Sequence, residues 1–102
     1  MPSEASLGDL LADLLDEMPG IEVSASREYA HNRIAFAHRT SEESIDLRLG
    51  AEIGEAALRT PDTGPSSRGS DWVSFSPKAW DDMAVDRLRA WFRVAWRLAQ
   101  PD

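Results

Sequence analysis

The sequence predicts an α+β domain: one mainly antiparallel, four-stranded sheet with helices packed on one face, in the order α-β-β-β-α-β-α. Three observations lead there. Leu7 to Met18 repeats leucines at helical spacing. Ile34–Arg39 and Ile45–Leu49 alternate with the period of half-buried strands. A short apolar strand, Trp72–Phe75, breaks at Pro77 and runs into a long amphipathic segment, Trp80–Leu98, holding three of the four tryptophans. At 102 residues the chain has the length of one domain, residues 1–102, and can bury a core without metal or disulfide help.

Each element has its own signal. Ser6 opens the first helix, with Asp9 in the place of a capping-box acid, and Pro19-Gly20 closes it. Ile21, Val23 and Ala25 alternate with Glu22, Ser24 and Ser26, a half-buried strand. Arg27 to Asn32 reads as a polar connection. Ile34, Phe36 and His38 then share one strand face, and Ala35, Ala37 and Arg39 the other. In the partner strand, Ile45, Leu47 and Leu49 alternate with Asp46 and Arg48 across a four-residue loop, Thr40–Glu43. Matching apolar faces sets Ile34 opposite Leu49, Phe36 opposite Leu47 and His38 opposite Ile45. Gly50 to Arg59 suggests a short helix, and Thr60 to Ser70, rich in Pro, Gly and Ser, an irregular mobile loop. The last helix carries acids early and arginines late, as its dipole favours.

Composition excludes several chemistries. There is no Cys, so disulfides, thiolate zinc sites and cysteine nucleophiles are ruled out. No apolar run is long enough to span a bilayer, and the first residues lack the features of a signal peptide, so a soluble, cytoplasmic protein is expected. Eighteen acidic residues face eleven basic ones, giving a formal charge of −7. Lys78 is the sole lysine among those eleven. Such a surface suits a cytoplasm of very high salt, where self-repulsion is screened while charge maintains solubility; an arginine-rich codon bias is the other source of the pattern. The negative charge makes nucleic acid an improbable partner, because such binding neutralises phosphates.

Four residues stand out as site candidates. If Val73 and Phe75 face the helices, Trp72 lies on the opposite sheet face beside Ala35, Ala37, Asp46 and Arg48, and Trp72, Asp46 and Arg48 form a binding surface or a homodimer contact. The competing readings cover Trp72 with a helix or the Thr60–Ser70 loop, or turn it into the core. His38, at a strand end, is either a general base or a hydrogen-bonded core-edge histidine. The register places Asp46 on the face away from His38, which argues against a His–Asp dyad unless a β-bulge intervenes. His31 is the one other histidine, and no acid lies at a metal-ligand spacing, so no metal is expected. No Gly-rich phosphate loop or nucleophile elbow is present, and no cofactor is expected. The Arg89–Arg93–Arg97 stripe continues Asp82 and Asp86, an internally compensated helix face.

The hairpin and the C-terminal segment together resemble the small luciferase-like domain family. Its members show an apolar strand ending in His, an "lDl.l" strand, a short helix, a "gWV.f" strand and a final amphipathic helix. The matching residues are Ile34–His38, Ile45–Leu49, Asp71–Phe75 and Asp82–Leu98, within a span from about Met18 onward. The resemblance implies a small α+β domain without an established activity. Many members carry His-x-His at the strand end, where this chain has Phe36 in the first place. A fainter similarity, to MmcQ/YjbR-type domains, implies DNA contact, which the acidic composition opposes. The function expected is a small binding or protein-interaction module with an unknown protein or small-molecule partner. The alternatives are an enzyme or metal-assisted site at His38 and a DNA-contacting domain.

Overall fold

A computed structural model describes residues 6–99. Helix α1 (Leu7–Glu17) starts where Ser6 accepts a hydrogen bond from the Asp9 amide at 3.1 Å. Strands β1 (Ile21–Val23), β2 (Glu28–His31), β3 (Ile34–Arg39) and β4 (Ile45–Arg48) follow, then helix α2 (Gly50–Ala57), strands β5 (Thr63–Ser66) and β6 (Gly69–Phe75), and helix α3 (Asp82–Leu98). The strands form one antiparallel sheet in the order β1-β2-β3-β4-β6-β5.

The α+β architecture is therefore as expected, but the sheet has six strands instead of four. Both additions fall in segments that read as loops. Strand β2 occupies the supposed polar connection, and β2 turns into β3 through Asn32 and Arg33, whose φ values of 54° and 68° make the two-residue, left-handed turn that matches strand twist. Strand β5 carries Gly64 and Pro65 and lies at the sheet edge, where a missing N–H breaks no ladder. The first strand ends at Val23, three residues short of the expected Ser26.

The β3–β4 register also differs. Ala37 pairs with Leu47, His38 with Asp46 and Arg39 with Ile45. The connection is five residues, Thr40–Ser44, closed by the Thr40 amide on the Ser44 carbonyl at 3.0 Å. That extra residue shifts the pairing by one. A β-bulge absorbs the shift: Tyr29 pairs with Ala37 and Ala30 with Ala35, leaving Phe36 without a partner in β2. Phe36 and Ala37 consequently both reach the core, each fully buried. Ala37 is thus a core residue and not part of the open face, while His38 moves to that face.

All three helices cover the other side. Leu7, Leu10, Leu11 and Leu14 of α1, Ala57 of α2, and Leu88, Phe92 and Ala95 of α3 join Phe36, Leu47, Val73 and Phe75 in one core. Phe92 stands edge-on to both Tyr29 and Phe36, with ring centroids 5.9 and 5.2 Å away. Gly54 brings α2 close to the sheet: a Cβ there would sit 3.7 Å from the Val73 side chain. Helix α3 is capped by Asp81, whose carboxylate accepts from the Ala84 amide at 2.9 Å. Asp81→Ala is expected to cost about 1 kcal/mol, read as a melting temperature lower by roughly 4–8 °C.

Candidate functional site

The helix-free face is organised by a row of cross-strand neighbours. Glu28 on β2 pairs with His38 on β3, His38 with Asp46 on β4, Asp46 with Ser74 on β6, and Ser74 with Gly64 on β5. One step along the strands, Arg48 pairs with Trp72. Period-two alternation puts Trp72 and Ser74 opposite in facing to the core residues Val73 and Phe75. Trp72 and Asp46 are diagonal neighbours on this face, at a spacing of about 7–8 Å in a typical sheet.

This face is not bare. Between the pairs Pro65–Val73 and Ser66–Gly69, residues Ser70 to Trp72 have no partner in β5, so the hairpin is irregular near its tip. The tip reaches back across the face. The Ser66 hydroxyl donates to Asp46 Oδ2 at 2.8 Å and accepts from the Arg68 amide at 3.1 Å. The Arg68 guanidinium lies 5.0 Å from the centre of the Trp72 ring, within cation–π range, and donates to the Glu28 carboxylate. Arg68 is a strap, fastened at Glu28 and laid over Trp72.

Beneath the strap, Trp72 is 8% exposed and Asp46 only 5%. Asp46 is the one buried charged residue among those described, and its Oδ1 has no hydrogen-bond partner. A buried polar atom without a partner costs about 1–3 kcal/mol, so natural folds rarely carry one. The expectation that Trp72, Asp46 and Arg48 share a face holds, but Trp72 is covered, which removes it as an exposed dimer contact. Arg48 is committed sideways, its Nε donating to Asp71 at 3.0 Å.

His38 is closer to Asp46 than the sequence suggested, directly opposite it on the same face. Its Nε2 lies 3.1 Å from the Ser26 carbonyl, which can only accept, so Nε2 carries the proton. No hydrogen bond joins His38 to Asp46 among the described residues. His31 is on the helix side, stacked on Trp96 with ring centroids 4.9 Å apart. The two histidines do not meet, and no group of three or more metal-ligating side chains occurs among the described residues. Arg89 and Arg93 of the helix stripe both engage Glu17.

Two concavities flank these elements. One of about 270 Å³ is lined by Glu22, Ser24, Glu28, Ala30 and Arg33, and so adjoins the strap's anchor. The other, about 300 Å³, lies at the start of α1 between Arg39, Glu42, Lys78 and Trp80. There Arg39 is already answered by Glu42 at 3.1 Å.

The strap's anchor, Glu28, is held in its charged form by its partners. The hydrogen bond from Arg68, then its charge, lowers the Glu28 pKa below the ordinary glutamate value, and the His38 charge adds a smaller pull in the same direction. A lowered carboxylate pKa means the latch is fully formed above the ordinary glutamate range and is lost as pH falls through the lowered value. Glu28 is 37% exposed, so the global stability at stake is small. Trp72 fluorescence should therefore change on acidification in the wild type and stay flat over that range in Glu28→Gln. Identical profiles would show that Glu28 does not hold the strap.

No family model matches the chain, and neither a curated protein nor a solved structure matches it. Among the described residues, no helix is long and apolar enough to cross a membrane.

Proposed function

We propose that this chain is a small binding module whose ligand site is the strap-covered sheet face, with Asp46 and Trp72 as its floor and Arg68 as its cover. The observation that carries this reading is Asp46: a side chain 95% removed from solvent, on a face no helix covers, with Oδ1 unpartnered. A ligand N–H or O–H supplies the donor that the fold does not. Trp72 offers an adjacent aromatic surface, and Ser66 and Ser74 flank the carboxylate.

The kinship with small luciferase-like domains belongs to the same proposal. What supports it is that β3, β4, α2, β6 and α3 fall in that order over the quoted motif residues, with β5 inserted between α2 and β6. Acid–base chemistry at His38 is the second reading, favoured by the pairing of His38 with both Glu28 and Asp46. It ranks lower because Nε2 is bound to the Ser26 carbonyl. DNA contact is disfavoured by the net charge of −7 and by Glu17 engaging two of the helix arginines.

A thermal-shift screen of small metabolites, run in parallel on wild type and Asp46→Asn, tests the proposal. Ligands that bind only the folded state raise its melting temperature by mass action. Hits should appear with the wild type and vanish with Asp46→Asn; hits indifferent to that change would move the site elsewhere.

A further inference from the structure

The binding reading leaves the ligand's chemical class open, and the charges around the site narrow it. The ionisable side chains of the face are Glu28, His38 and Asp46 with Arg48 and Arg68, and Asp71 meets Arg48 from the strand position beside Trp72. Arg48 is paired with Asp71, and Arg68 with Glu28. Asp46 is left with one hydroxyl donor and no cation. The neighbouring concavity adds Glu22 to Glu28, with Arg33 as its one cationic lining residue. Among the described residues, Asp46 is therefore the carboxylate of the row that no guanidinium answers, buried beside Trp72 and facing His38 without a hydrogen bond to it.

Geometry gives the second constraint. A guanidinium already stacks on Trp72 and bonds a carboxylate of the same row, and it belongs to the chain itself. Aromatic faces attract cations electrostatically, and guanidinium is both planar and weakly hydrated, which suits a stacked, largely desolvated position. From these two observations, resting on the proposed binding site, we infer that the site takes a small organic cation, a guanidinium or primary ammonium, and that Arg68 is its built-in competitor. The ligand's cation replaces the Arg68 guanidinium over Trp72. Its N–H groups supply the donor for Asp46 Oδ1, and Arg68 swings outward to solvent at the hairpin tip.

The consequence is opposite in sign to that of an ordinary binding arginine. Removing Arg68 should strengthen binding. The direct test follows the Trp72 indole N–H by NMR while methylguanidinium chloride and n-butylammonium chloride are titrated in. Methylurea, close in shape and uncharged, serves as the control. Saturable shifts of Trp72 are expected with at least one cation and not with methylurea. Arg68→Ala, and independently Arg68→Gln, should bind about tenfold more tightly, the order expected when a cation–π contact and a partly exposed ion pair no longer compete. Asp46→Asn should abolish the shift, with the remaining amide spectrum confirming that each variant is folded.

Three results would overturn the inference. Methylurea binding as well as the cations would make the site a neutral-donor site. Weaker binding by both Arg68 variants would make Arg68 a ligand contact and not a competitor. No shift at Trp72 in wild type and variants alike would remove the cation class. In each of these cases the metabolite screen decides separately on the binding site: a hit that depends on Asp46 leaves that reading standing, and shifts gathered at Arg39 and Lys78 would remove both.

Discussion

Phe92→Ala should be the most damaging single substitution in this fold, lowering stability by about 3–5 kcal/mol. Phe92 is fully buried in the middle of α3, where it meets Tyr29 of β2 and Phe36 of β3 edge-on. Truncation removes the transfer free energy of a large side chain and leaves a cavity that rigid neighbours fill poorly. It also removes two aromatic pairs, each worth roughly 0.5–1.5 kcal/mol beyond area. Against a total of about 5–15 kcal/mol for such a domain, the loss brings the chain near its unfolding threshold. Phe92 is moreover the contact that holds α3 to the bulge at Phe36, so the damage should reach β3. Urea unfolding measures the effect, with Met83→Ala as the matched control. Met83, in the same helix, is 71% exposed and should change stability by no more than about 0.5 kcal/mol.

Asp46→Asn should leave stability nearly unchanged while eliminating ligand binding. The carboxylate is buried with one oxygen unpartnered, a cost the fold carries whether or not ligand is present. Asn is nearly the same size and keeps an oxygen to accept from Ser66; it removes the buried charge, and that gain is set against the buried NH2 it puts in the place of Oδ1. The unliganded variant should therefore stay within about 1 kcal/mol of the wild type. Binding should fall because the acceptor that matches the ligand's donor, and the charge that matches its cation, are both gone. Loss of binding without loss of stability is the mark of a side chain kept for a ligand. A loss of several kcal/mol in Asp46→Asn would show instead that the carboxylate is needed by the fold itself.

How much of this was legible in the sequence depended on whether a local signal existed. Helices α1 and α3 announce themselves through leucine and tryptophan spacing, and Ser6 caps α1 as its position suggests. The alternation in β4 and β6 placed Asp46, Arg48 and Trp72 on one face correctly. Strands β2 and β5 were hidden for different reasons. Tyr29 is the one large apolar residue in Glu28–His31, and Thr63–Ser66 contains a Gly and a Pro that an edge strand tolerates and a central one does not.

His38 was misplaced because its facing depends on two compensating irregularities. A fifth loop residue, Ser44, shifts the register, and the bulge at Phe36 rephases the strand so that no apolar residue is exposed by the shift. Hydrophobic alternation registers neither, since both leave Ile45 and Leu47 in the core. Arg68 was missed altogether. It sits in a Ser- and Gly-rich turn, and its partner Glu28 is 40 residues away in sequence, in a strand that was itself unrecognised. A turn arginine carries no local mark of a long-range contact.

A binding site beneath the Arg68 strap is tested most directly by mapping amide and indole N–H shifts across the whole domain as the screened ligands are added. Shifts concentrated at Trp72, Asp46, Ser66, Arg68 and Ser74 are the expected result, because those residues form the floor, the flanks and the cover of the site. Shifts concentrated at Arg39, Lys78 and Trp80, on the far cavity, would contradict it, as would ligands that bind while the Trp72 indole stays still.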